Sequence, residues 1–122
     1  MDKLVRDRIP EIIERKGEDV PPYRTLSVDS CLKVHPEFKV YRRALLDKLL
    51  EEVQEVHAAQ MFDLDTNNHP SVVSELADIQ EVLDAIYAEF QIKPEDVTQR
   101  QREKRNARGA FSRRIIMSFP DK

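Results

Sequence analysis

Apolar positions recur at helical intervals in two long blocks of this chain. In the first, residues 35–62, the stripe is Phe38, Tyr41, Leu45, Leu49, Val53 and Val56, at spacings of three and four. In the second, residues 71–90, it is Val72, Leu76, Ile79, Leu83, Ile86 and Phe90. A stripe of this kind covers one side of an α-helix and needs a partner surface. The stretch DLDTNNHP between the blocks holds an Asn pair and Pro70, both turn formers. A connection this short predicts that the two helices run antiparallel.

Shorter elements flank the pair. KLVRDRIPEIIERKG predicts a helix with Pro10 in its first turn, Asp7 as its cap and Gly17 as its stop. VPPYRTLSV reads as a loop with a short strand. Pro94 opens a further, highly charged helix that Gly109 can end. The tail AFSRRIIMSF reads as a short terminal strand or an extended arm. No internal repeat interrupts this pattern. The expected fold is all-α, a helical bundle built on two long antiparallel helices with shorter flanking helices, in one domain over residues 1–122.

Composition narrows the class. With 2 Gly and 7% aromatic residues, the chain lacks the turns of a β-barrel. Its net charge of −3 argues against a polycationic nucleic-acid surface. One cysteine, Cys31, allows no internal disulfide, which fits a reducing cytoplasm. The charged opening MDKLVRDRIP has no apolar signal core, and no apolar run reaches the ~20 residues of a membrane span. A soluble cytoplasmic protein is expected. So short a chain also gains from covering surface in a homo-oligomer.

Charge is unevenly spread. From Asp47 to Asp63 there are five acids and one base, a local −4; from Gln99 to Arg114 there are seven bases and one acid, a local +6. Glu51, Glu52 and Glu55 fall within five residues, and Glu75 and Asp78 repeat the i, i+3 spacing on the next helix. Residues three or four apart on a helix are neighbours. Antiparallel packing can bring both groups to the same level. Converging carboxylates repel unless neutralised, and hard divalent cations such as Mg²⁺ take oxygen ligands. Spacing alone leaves two readings open, a solvated acidic face and a metal site. Softer metals have less support. The residue three before His57 is Gln54, so the Glu-x-x-His spacing of di-iron bundles is absent, and Cys31 has no partner for zinc. There is no Gly-rich phosphate loop and no serine elbow.

Glu51-Glu52-Val53-Gln54-Glu55, nineteen residues and then Glu75-Leu76-Ala77-Asp78 resemble the Glu-Glu-x-x-Glu … Glu-x-x-Asp signature of the all-α nucleoside triphosphate pyrophosphohydrolases. KLVRDRIPEII at 3–13 and REKRNARGAFSRRIIM at 102–117 are similar to the two ends of a MazG-like, phosphoribosyl-ATP-pyrophosphohydrolase-like subgroup of small proteins. The resemblance spans most of the chain; residues 18–40 carry nothing over from it. It implies a Mg²⁺-dependent enzyme, with Mn²⁺ as a substitute, that splits a nucleoside triphosphate between its α- and β-phosphates. By motif position Glu52, Glu55, Glu75 and Asp78 would hold the metal, and Glu51 would be an outer acid or the base for the attacking water. Superfamily members are dimers or tetramers.

Phosphate contacts would then fall to basic side chains. Lys48, one turn before Glu51 and Glu52, is one candidate, its plainer role being a helix salt bridge. Arg6 and Arg8 on the opening segment and Lys104, Arg105 and Arg108 on the last helix are the others, with Arg6, Lys104 and Arg108 favoured by the family-like strings. Two further readings stand beside this one: a phosphoribosyl-ATP pyrophosphohydrolase of histidine biosynthesis, and a non-catalytic helical interaction module whose charged segments bind a partner.

Overall fold

A computed structural model describes residues 2–26, 36–61 and 69–120, with side chains from residue 39 onward in the second stretch. The described residues form four α-helices, α1 (Ile9–Arg15), α2 (Pro36–Ala59), α3 (Pro70–Glu89) and α4 (Pro94–Arg108). No described residue is in a strand, and the fold is all-α. The chain divides into two compact units, Met1–Phe90 and Gln91–Lys122.

Proline is the first residue of α2, α3 and α4 and the second of α1, positions where the missing N–H costs nothing. The start of α1 corrects one expectation. Arg8, not Asp7, occupies the cap position, and no side chain bonds the free N–H groups there. Its end is as expected. Gly17 takes φ 75°, its N–H donates to Glu14 O, and the Glu18 N–H donates to Ile13 O. That pair of bonds is a Schellman closure, which favours glycine at the left-handed position. Gly109, at φ 81°, ends α4 differently: its N–H donates to Arg105 O in an ordinary helical bond, and its backbone then turns out of the helix.

In the first unit α2 packs on α3. Arg42, early on α2, meets Glu89 and Phe90 at the end of α3, while Val56, late on α2, and Gln60, just past its end, share a groove with Val72. The order reverses, so the two helices are antiparallel, as their short connection predicts. Residues 62–68 of that connection, Cys31, His35, residues 27–28 of the VPPYRTLSV stretch and the side chain of Phe38 lie outside the described residues; residues 20–26 of that stretch hold no strand.

The seam is narrower than the apolar stripe suggests. Leu45 is only 2% exposed, and Ala59 is buried, but Val53 is half-exposed and Glu52 is buried at 8% exposure. Leu45, Glu52 and Ala59 stand seven residues apart, two turns each, on one line down α2. An acid therefore occupies a core position. At the far end of the seam the Arg42 guanidinium lies 4.1 Å from the centre of the Phe90 ring and 4.0 Å from Glu89. Burial and then the charges of Glu89 and Asp7 push the nearby Tyr41 hydroxyl up from its ordinary value.

In the second unit every described residue is exposed. α4 carries Glu95 and Asp96 in its first turn and Arg105 and Arg108 in its last, which suits the helix dipole. The tail corrects the strand alternative. Phe111 to Arg114 form a turn closed by the Arg114 N–H on Phe111 O, and residues 115–120 have no regular structure. A strand needs a neighbour for its backbone groups, and none is present among the described residues.

Candidate metal centre

The i, i+3 and i, i+4 geometry of α2 sets Lys48 under Glu51 and Glu52. Its ammonium lies 3.4 Å from Glu51 Oε2 and 3.2 Å from Glu52 Oε1. Lys48 and Glu52 are largely withdrawn from water, so their attraction is less screened than a surface pair's. Such a pair offsets the cost of burying Glu52 as an anion, which would be several kcal/mol unpaired.

α3 supplies the facing acids. Carboxylate oxygens of Glu52, Glu75 and Asp78 all lie within 4.8 Å of one another. Glu75 is pushed up from its ordinary value, first by desolvation, then by the charges of Asp78, Glu52 and Glu55, and by a hydrogen bond shared with Asp78. Asp78 is held from outside the helix pair. Arg6 Nη2 donates to its Oδ1 at 2.6 Å, and Lys3 Nζ stands 3.5 Å from Glu51 Oε1.

Of the four expected metal ligands, the structure brings three together. Glu55 is exposed and outside the cluster of three, although its charge reaches Glu75. Glu51 sits at the rim between Lys3 and Lys48, the flanking place expected of it. Lys48 and Arg6 touch the centre. Lys104 and Arg108 are exposed on α4 in the second unit. Sequence reasoning passed over Lys3, whose signal was its position three residues before Arg6 in the same charged string. It also took Glu52 as one acid among several; no residue type in the string marks it as the buried one.

The charge balance is informative. Five carboxylates, Glu51, Glu52, Glu55, Glu75 and Asp78, face three cationic side chains, Lys3, Arg6 and Lys48. Two negative charges remain, and Glu55 and Glu75 have no basic partner within 4.0 Å among the described residues. The all-oxygen donor set suits a hard divalent cation. Oxygens on opposite sides of a Mg²⁺ lie ~4.2 Å apart, so the three clustered groups are already near the span such an ion requires. Compared with known proteins, the chain matches no family model, no curated protein and no solved structure.

Proposed function

We propose that the chain is a Mg²⁺-dependent nucleoside triphosphate pyrophosphohydrolase, cleaving between the α- and β-phosphates to release a nucleoside monophosphate and pyrophosphate. The observation that supports it most is Glu52, an acid at a core position of α2 facing Glu75 and Asp78 across the seam. A solvated acidic face has no reason to bury its central member. A role in clearing non-canonical or surplus nucleotides in the cytoplasm fits this reading; among the described residues no helix is long and apolar enough to cross a membrane.

Glu52, Glu75 and Asp78 would hold the ion, with Glu55 joining from the rim. Bound there, the ion would neutralise triphosphate charge and orient the phosphates. Glu51 would take the proton of the attacking water. The water oxygen bonds to the α-phosphorus as the bond from that atom to the bridging oxygen of pyrophosphate breaks. Lys48 and Arg6, beside the acids, would meet phosphate oxygens, and Lys104 and Arg108 are the further candidates. The resemblance at both chain ends supports the same chemistry.

Pyrophosphate release from a panel of triphosphates with Mg²⁺ or Mn²⁺ tests this. Turnover of at least one is the expected result, and a folded, cation-binding protein that turns over none sinks the proposal. Growth of a histidine auxotroph on the gene would move the substrate to phosphoribosyl-ATP. No stabilisation by Mg²⁺ would favour the interaction module.

A second copy of the chain is the proposed partner. Leu46, Leu50, Val53, Val73 and Leu76 are half-exposed or more on α2 and α3. Apolar residues grouped this way favour coverage by another surface. Sedimentation velocity should give at least a dimer, and Leu50→Glu should shift it toward monomer.

A further inference from the structure

The opening segment reaches the helix pair through two cationic side chains, and both land on acids of the candidate centre. Lys3 meets Glu51 at 3.5 Å, and Arg6 meets Asp78 at 2.6 Å across 72 residues of sequence. The two side chains remain 54% and 55% exposed, whereas Lys48 is 19% exposed and held along α2. Ion pairs this open to water are weak and exchange readily. The segment that carries them, residues 2–6, has no helical ladder to hold it in place.

We propose that Lys3 and Arg6 are resident counter-ions of the carboxylate centre, which neutralise Glu51 and Asp78 in the cation-free protein, release Asp78 when a divalent cation binds, and turn to the substrate's phosphates. This rests on the cation-site reading above. A guanidinium at 2.6 Å from Asp78 Oδ1 repels a second cation arriving at the same carboxylate. Without substrate the acids outnumber the bases by two, so a divalent ion brings the centre to neutrality with Lys3, Arg6 and Lys48 still beside it, and only the contact at Asp78 has to yield to the ion. A triphosphate brings new negative charge, and the planar fork of Arg6 then has a better acceptor than a carboxylate already engaged. The same side chain therefore opposes the ion alone and favours the ion together with a polyphosphate.

That reversal of sign is what an experiment can read. Mn²⁺ binding to the full chain is followed by electron paramagnetic resonance, alone and with inorganic tripolyphosphate, which is independent of base identity. Arg6→Gln should bind Mn²⁺ alone about threefold more tightly than wild type, because an exposed competing ion pair is lost. With tripolyphosphate present it should bind about tenfold more weakly, the loss of one charge-assisted contact. Lys3→Gln should move both in the same directions by less. Arg6→Lys, which keeps the charge, should leave binding of Mn²⁺ alone near wild type, with circular dichroism confirming the helices. Wild type that binds Mn²⁺ while Arg6→Gln binds it no more tightly overturns the counter-ion role and leaves the cation site standing. Weakening of both affinities in Arg6→Gln also overturns it, because that is the signature of a structural clamp. Wild type that binds no Mn²⁺ removes the cation site, and this role with it.

Discussion

α2 and α4 are both densely charged helices opened by proline, and they use charge differently. α4 is exposed on every side, and its Arg100–Glu103 pair at 3.0 Å is an ordinary i, i+3 bridge in water. α2 places Glu52 in line with Leu45 and Ala59, inside the seam. α4 carries more charge per residue than α2, so what sets Glu52 apart is register, not charge density. An acid in water needs no explanation, whereas an acid at a core position costs stability unless its surroundings neutralise it. A charge that interrupts an apolar register is therefore the informative feature, not charge as such.

The largest expected effect tests that contrast on activity. Glu52→Ala and Asp78→Ala should each lower pyrophosphate release by about 100-fold or more, since even outer partners of a metal site cost 10- to 100-fold. Glu103→Ala on α4 should leave the rate within about twofold of wild type, as surface changes usually do. Glu55→Ala is the sharper case, because Glu55 lies at the rim. A loss as large as that of Asp78→Ala would show that Glu55 moves in to ligate. Far-ultraviolet circular dichroism checks that the helices persist.

The next effect is on stability. Leu45 is the most deeply buried side chain described. Leu45→Ala should cost about 2–5 kcal/mol in denaturant unfolding, the transfer loss plus the cavity. Val97→Ala on exposed α4 should cost under about 1 kcal/mol. Equal costs would mean that α4 is covered in solution by something that protects it as the seam protects Leu45.

Much of this was legible in the sequence, for local reasons. Helix starts follow from Pro10, Pro70 and Pro94, and two stops from Gly17 and Gly109, because these residues act on their own backbone. The all-α class and the antiparallel pair follow from periodicity and a short connection. The convergence of Glu52, Glu75 and Asp78 was within reach because helical spacing is rigid. Three things were not legible. Which of three neighbouring glutamates is buried depends on how α3 rotates against α2. Val53 fits the apolar stripe by spacing and still stays half-exposed, for the same reason. The Arg6–Asp78 bond depends on the path of a segment without regular structure, which no periodicity encodes.

A smaller effect separates the two sides of the seam by pH. Glu75 is raised from its ordinary value, so folding favours its protonated form. Its contribution to stability is complete below the ordinary carboxylate range and is lost as pH rises through the raised value. At pH 7 without divalent cations, Glu75→Gln should therefore melt slightly above wild type. It should also lose most of the rise in melting temperature that Mg²⁺ gives wild type, because that rise comes from binding to the folded state alone. A variant that melts below wild type at pH 7 would mean that Glu75 stabilises as an anion, against the sign argued here.

The smallest expected effect is on α4, and it decides what the comparison means. Arg100→Ala and Glu103→Ala, singly and together, should each change unfolding free energy by at most about 0.5 kcal/mol, with a coupling near 0.3–0.5 kcal/mol that vanishes in 1 M salt. Lys48→Ala on α2 probes the same spacing in the seam, where water is largely excluded and salt screens poorly. It should cost more, and the cost should persist in 1 M salt, because it leaves Glu52 buried beside Glu75 and Asp78 with its nearest cation gone. If salt erases the Lys48 effect as it does the Arg100 one, then Glu52 is as well solvated as any acid of α4, and the argument from its burial to a cation site loses its physical basis.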